Sequence, residues 1–142
     1  CYSDPGLNEI RKVSLKPVFG IAESAMATAL TLGERFGIIS ILDTSIARHI
    51  DAVRVAGLES RFAGDIAIGV GVTGLIGNET DVQERILNAG QRLREEHGAN
   101  VLILGCAGMA RFKLPLAKEI SLPVVEPTQA AVTLAIGANK LQ

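Results

Sequence analysis

Val101-Leu102-Ile103-Leu104-Gly105-Cys106-Ala107-Gly108-Met109 is an unbroken apolar run that stops at a glycine, a cysteine and two more small residues. A run with no polar alternation reads as a strand covered on both faces, the condition of a parallel sheet between helices. Residues 36–42 repeat the pattern with β-branched content, and residues 65–72 form a third run. Between the first two of these in chain order, Thr44 or Ser45 is placed to cap a helix that runs through Val55 and closes at Gly57. Residues 81–97 are amphipathic, with Val82, Ile86, Leu87, Ala89 and Leu93 on one side, and Gly98 ends them. Beyond Cys106 the pattern predicts a short helix over 114–120, a short strand at Val124-Val125 and a closing helix over 128–138.

Toward the N-terminus, Asp4-Pro5-Gly6 suits a helix start, with Asp4 as the cap and Pro5 in the first turn. That helix is expected to reach about Val13. Pro17-Val18-Phe19-Gly20-Ile21 reads as a short strand, and residues 22–32 as a helix ended by Gly33. Strands alternating with helices predict an α/β fold with parallel sheets. In such folds ligands sit beyond the carboxyl ends of strands. Cys1, Thr44, the loop after Val72, Cys106 and Glu126 all fall at such ends. A longer-range echo is also present: cysteine, helix, then Lys16-Pro17-Val18, against cysteine, helix, then Leu122-Pro123-Val124. Two related halves, each giving one cysteine, would set the thiols on either side of a cleft.

At 142 residues the chain has the length of one domain or pieces of two, and 48% hydrophobic content lets it bury a sizeable core. A net charge of −1 gives no electrostatic footprint for nucleic acid or an acidic membrane surface. No run of about 18 apolar residues predicts a membrane span. The chain begins at Cys1 rather than Met, so an N-terminal portion is expected to be missing; with two well-separated cysteines and no disulfide framework, a cytoplasmic setting is expected.

The chain's chemistry centres on its two cysteines. An unperturbed thiol titrates near ~8.5, so modest help yields thiolate near neutrality. Cys1 precedes a helix start, and Cys106 lies among small residues that let backbone N–H groups approach a ligand. The alternative is that both simply pack in the core, where free cysteine is common. Ser3 and Thr44 are either caps or ligand contacts, and Glu126 has the same two readings. Gly69-Val70-Gly71-Val72-Thr73-Gly74 matches the dinucleotide fingerprint in letters, but no helix opens directly after it, and the position about 20 residues on falls inside a helix. It is read as a glycine-rich loop. His49 and His97 are read as exposed helix residues, and no Cys/His cluster has metal-ligand spacing.

Cys1-Tyr2-Ser3-Asp4-Pro5-Gly6-Leu7 and Leu104-Gly105-Cys106-Ala107-Gly108-Met109 resemble the paired cysteine motifs of the Asp/Glu/hydantoin racemase superfamily, in its hydantoin and allantoin branch. Pro17-Val18-Phe19-Gly20-Ile21-Ala22-Glu23 and Gly57-Leu58-Glu59-Ser60-Arg61 share that likeness. The resemblance implies two similar flavodoxin-like parallel-sheet lobes with a cleft between them, one cysteine from each. It places residues 1–34 in the C-terminal part of a first lobe that is incomplete here, 35–126 in the second lobe, and 127–142 in a closing helix packed back on the first. It implies Cys1 and Cys106 as the catalytic pair, with Ser3, Thr44, Ala107 and Gly108 binding the substrate. Amino-acid racemases of the superfamily carry polar residues after the second cysteine; Ala107-Gly108 here suit a neutral ring instead.

The reaction so implied inverts a stereocentre beside a carbonyl by two-base proton transfer, with no cofactor and no metal. The expected partner is a small-molecule substrate, not nucleic acid or membrane, and a homo-oligomer is compatible with the sequence. Other readings are an isomerase or racemase of open-chain amino or dicarboxylic acids, and a non-enzymatic α/β binding domain whose cysteines only pack.

Overall fold

The computed structural model describes residues 2–141. Four strands form one parallel sheet: β1 (Phe36–Ser40), β2 (Phe62–Ala67), β3 (Val101–Leu104) and β4 (Val124–Val125), in the spatial order β2-β1-β3-β4. The helices are α1 (Leu7–Val13), α2 (Ile21–Leu32), α3 (Ile46–Val55), α4 (Glu79–Glu95), α5 (Lys113–Ile120) and α6 (Pro127–Lys140). Side chains of successive strand residues alternate between two apolar layers. Ile39, Leu102, Leu104 and Val124 meet Val82, Ile86 and Leu93 of α4 and Leu116 and Ile120 of α5. Phe36, Ile38, Val101, Ile103 and Val125 meet Ala22, Ala25, Met26 and Ala29 of α2, Val53 of α3 and Ala130 of α6. Every residue of β3 is fully buried, which is why its sequence carries no polar alternation. The small residues along α2 let it lie close to the sheet and beside α6.

Several boundaries differ from those read in the sequence. Residues 17–20 form no strand; they run as an irregular segment into α2, whose first residue is Ile21. A strand needs a neighbour for its backbone groups, and none of the described strands lies beside this stretch. The third run begins at Phe62 rather than Asp65 and is a regular strand only to Ala67. Two further bonds prolong its pairing, from Ile68 N–H to the Ser40 carbonyl and from Val70 N–H to the Ile41 carbonyl, both 2.9 Å.

Capping also departs from expectation. Neither Thr44 nor Ser45 caps α3 through its side chain; a 3-10 turn, Asp43–Ser45, leads into the helix instead. Asp4 makes no cap bond to α1, whose N-cap is Gly6. Its carboxylate accepts hydrogen bonds from the N–H groups of Ala22 and Glu23 at the start of α2. Asn78 and Glu126 do cap their helices, Asn78 by accepting from Asp81 N–H, Glu126 by accepting from Thr128 and Gln129 N–H.

Candidate functional site

Sheet order locates the site before any residue is chosen. With β1 and β3 adjacent, the chain leaves the carboxyl end of β1 toward α3 on one face and that of β3 toward α5 on the other. Connections that part in opposite directions open a crevice between the two strand ends, the switch point at which open α/β sheets bind ligands. Cys106 stands there. It follows β3 and is the N-cap of a 3-10 segment, Ala107–Phe112, that runs on into α5. Its side chain is half-buried and free, and Ala107 and Gly108 are exposed. The first N–H groups of such a segment have no partner within it. They are donors available to an oxyanion beside the thiol.

The turn into Cys106 is held from β1. Gly105 N–H donates to the Ile39 carbonyl at 2.8 Å. A side chain at position 105 would meet that same oxygen at 2.8 Å and Ile38 Cγ2 at 3.1 Å, so glycine is required by close approach of two backbones. Met109 and Phe112 are buried and anchor the far side of the loop. The glycine-rich loop after β2 forms the neighbouring wall: its 3-10 segment, Val72–Ile76, buries Leu75 against the Cys106 loop, and Arg111 donates to the Leu75 carbonyl. α4 opens only at Glu79, so the phosphate-cradle arrangement of a dinucleotide fold does not form.

The other expected site residues divide. Thr44 is exposed in the turn after β1, on the opposite bank of the crevice from the Cys106 loop. Ser3 is half-buried and lines a groove of ≈ 230 Å³ with Asn8, Glu23 and Ala52, between α1, α2 and α3. Cys1 lies outside the described residues. Glu126 is buried with both carboxylate oxygens engaged in its cap, so of its two readings the structure realises capping.

Next to the crevice is a polar cluster that sequence reading missed. His49 is 3% exposed, a correction to its reading as a surface residue. Its Nδ1 lies 2.7 Å from Asp65 Oδ2, and Ser40 donates to Asp65 Oδ1 at 2.5 Å. Ser40 Oγ is also 3.0 Å from His49 Nδ1. Both partners address the same ring nitrogen, so this is not the serine–histidine–carboxylate relay of a hydrolase, which needs the two ring nitrogens to face opposite partners. Tyr2 packs edge-on against the His49 ring, with centroids 5.0 Å apart and planes at 86°. Burial, reinforced by the carboxylates of Asp65 and Asp4, pushes the Tyr2 hydroxyl far above its ordinary pKa. A signal existed for His49: it stands four residues before Val53 on α3, and these two are that helix's buried positions. His97 is exposed, as expected.

Residues 1–135 match the family model described as Asp/Glu/Hydantoin racemase. The chain is 34% identical over 136 residues to a hydantoin racemase of Paenarthrobacter aurescens, an alignment covering 95% of this chain and 57% of that protein. It is 36% identical over 138 residues to a hydantoin racemase of Pseudomonas sp. (strain NS671), covering 95% of this chain and 54% of that one. The fold superposes on the crystal structure of allantoin racemase from Pseudomonas fluorescens with a TM-score of 0.95 at 31% identity, covering 99% of this chain and 60% of the other. The chain thus spans little more than half the length of the relatives it matches.

Proposed function

This chain belongs to the Asp/Glu/hydantoin racemase family, in its hydantoin and allantoin branch, and from that membership we propose that the protein is a cofactor-independent racemase of a hydantoin-type ring, a 5-substituted hydantoin or allantoin. The observation that carries this reading is Cys106: a free, half-exposed thiol at the β1/β3 switch point, followed by two exposed small residues. We assign residues 1–34 to the first lobe, 35–126 to the second and 127–142 to a helix that closes on the first, with α2 and α6 also packing on the sheet of the second.

In this mechanism one cysteine, as thiolate, takes the proton from C5 of the ring. The electron pair left on carbon moves into the adjacent C4 carbonyl, giving an enolate. The other cysteine, as thiol, returns a proton to the opposite face and becomes the thiolate. Cys1 and Cys106 are the pair, and their roles exchange with the enantiomer. The N–H groups of Ala107 and Gly108 stabilise the enolate oxygen, the preorganised-donor effect that dominates catalysis of this kind. Ser3 and Thr44 hydrogen-bond the ring. Alanine and glycine beside Cys106 leave room for a planar neutral substrate and supply no counter-charge for an α-carboxylate, which supports a ring over an open-chain amino acid.

The test is the decay of optical rotation of a single-enantiomer hydantoin or allantoin with the full-length protein, without added cofactor, beside Cys106→Ser. Decay to zero rotation with unchanged composition, absent in Cys106→Ser, is the expected outcome. Stable rotation over a panel of rings, with activity on an open-chain acid instead, would overturn the substrate assignment. Equal decay in Cys106→Ser would overturn the role of the thiol.

A further inference from the structure

We propose that Tyr2 and His49 are positioning residues, forming a seat that fixes the first cysteine motif relative to the Cys106 loop; this rests on the racemase reading above. The motif's described residues are pinned twice. The Tyr2 ring is 4% exposed and stands edge-on to His49, while the Asp4 carboxylate is tied to the start of α2 through Ala22 and Glu23. Between these two anchors lies only Ser3, so the backbone entering the motif has little freedom to shift.

The seat is itself tied to the second thiol's loop. His49 is bonded to Asp65 and, through it, to Ser40, the last residue of β1. Ser40 follows Ile39, whose carbonyl holds Gly105 N–H, and Gly105 precedes Cys106. One buried chain of contacts therefore runs from the residue bonded to Cys1 to the residue bonded to Cys106. Two-base racemisation requires its two sulfurs at a fixed separation across one carbon, and a buried connection between the residues next to each cysteine serves that demand. It also accounts for polar groups in an otherwise apolar layer: a hydrogen-bonded cluster fixes one arrangement, whereas apolar packing alone tolerates several. The Tyr2 hydroxyl has no partner among the described residues, so the ring, not the hydroxyl, makes the contact.

The experiment compares Tyr2→Leu, Tyr2→Phe and His49→Asn in the full-length protein. Two readouts are taken: kcat and KM for racemisation, and the iodoacetamide alkylation rate of each thiol alone, Cys1 in Cys106→Ser and Cys106 in Cys1→Ser. Tyr2→Leu and His49→Asn are expected to lower kcat by on the order of 10- to 100-fold, the effect of about 1 Å of misplacement, with KM little changed. Their effects should not multiply in the double variant. Tyr2→Phe should keep wild-type kcat. Alkylation of Cys1 should change while that of Cys106 holds. A general loss of stability would change both thiols together, and that result overturns the proposal, as does an unchanged Cys1 rate in both variants. If Tyr2→Leu does not fold, His49→Asn carries the same comparison, since asparagine can still donate to Asp65. Where the wild type racemises no ring, the reading of function fails, and the alkylation contrast alone decides the positioning role.

Discussion

Asp4 caps a helix that begins far from it in sequence: its Oδ2 lies 3.0 Å from both Ala22 N and Glu23 N. Side-chain caps of this kind contribute about 1 kcal/mol, up to ~2, because they satisfy N–H groups that the helix itself leaves open. Asp4→Ala should lower stability by that amount in urea unfolding, and Asp4→Asn by less. Gly20 makes room for the carboxylate, since a side chain there would overlap Asp4 Oδ2. Gly20→Ala should therefore expel the cap, and the double variant Asp4→Ala/Gly20→Ala should cost less than the sum of the two singles.

Gly105→Ala tests the joint between β1 and the Cys106 loop. The added methyl meets a carbonyl oxygen rather than the movable end of a side chain, so the backbone must shift. The expected cost is about 1–3 kcal/mol, the range for overpacking a close contact. Gly90→Ala is the contrast: there the methyl meets the terminal carbons of Ile120 and Leu102, at 3.0 and 3.1 Å, while the α4 helix gains an alanine. Helix propensity gains about 1 kcal/mol, which offsets the crowding, so its unfolding midpoint should move little.

The cluster beside the crevice predicts unequal losses. Asp65→Ala strips buried His49 and Ser40 of their shared acceptor and should cost about 1–3 kcal/mol. Ser40→Ala removes one hydrogen bond and should cost about 1 kcal/mol. In the double variant the two effects should not add, because both bonds end on the same carboxylate.

These residues also mark where the sequence could and could not be read. The sheet was legible because Phe36–Ser40 and Val101–Leu104 are buried on both faces and so carry uninterrupted apolar runs. The Cys106 turn was legible because only small residues fit it. The Asp4 cap was not, since Asp-Pro-Gly is a good local helix start and its true partner lies in another element. The expected strand at Pro17–Ile21 failed for a related reason: β-branched and aromatic residues favour extended backbone, but a neighbouring strand decides whether a ladder forms. His49 reads as a surface residue from its chemistry, but apolar Val53 one turn later shares its helix face, and both are buried.

Tyr2 predicts an alkaline dependence. Its folded-state pKa is raised above the ordinary 10.0 by burial and by Asp65 and Asp4, so the folded protein holds the proton more tightly than the unfolded chain. That stabilisation is complete below pH 10 and is lost progressively as pH rises further. Tyr2→Phe should flatten the alkaline limb of a stability–pH profile. At neutral pH it should be neutral or slightly stabilising, by up to about 1 kcal/mol, because it removes a buried hydroxyl with no partner among the described residues.

At the acid end the pair to test is Arg11–Glu23, which links α1 to α2. The hydrogen bond from Arg11 lowers the Glu23 pKa below 4.5, while the same bond raises that of Arg11. A lowered carboxylate pKa stabilises above the unfolded value and loses that contribution as pH falls through the folded one. Both side chains are substantially exposed, so the loss should stay below about 1 kcal/mol and shrink in high salt. Arg11→Ala should abolish the acid step and also release the Val18 carbonyl that Arg11 holds.

One of the two outer strands of the sheet, β2, carries a consequence for how copies of this chain meet. Its pairing with β1 slips by one residue, Phe36 opposite Phe62 but Gly37 opposite Gly64, so Ala63 is an extra residue bulged out of the ladder. Two positions on, Asp65 turns its carboxylate inward to His49. A bulge and an inward acid are the features by which exposed strands refuse an added neighbour. A second chain laid along β2 would find the hydrogen-bonding frame jump beneath it. The cluster that seats Tyr2 thus also makes this edge a poorer template for an added strand.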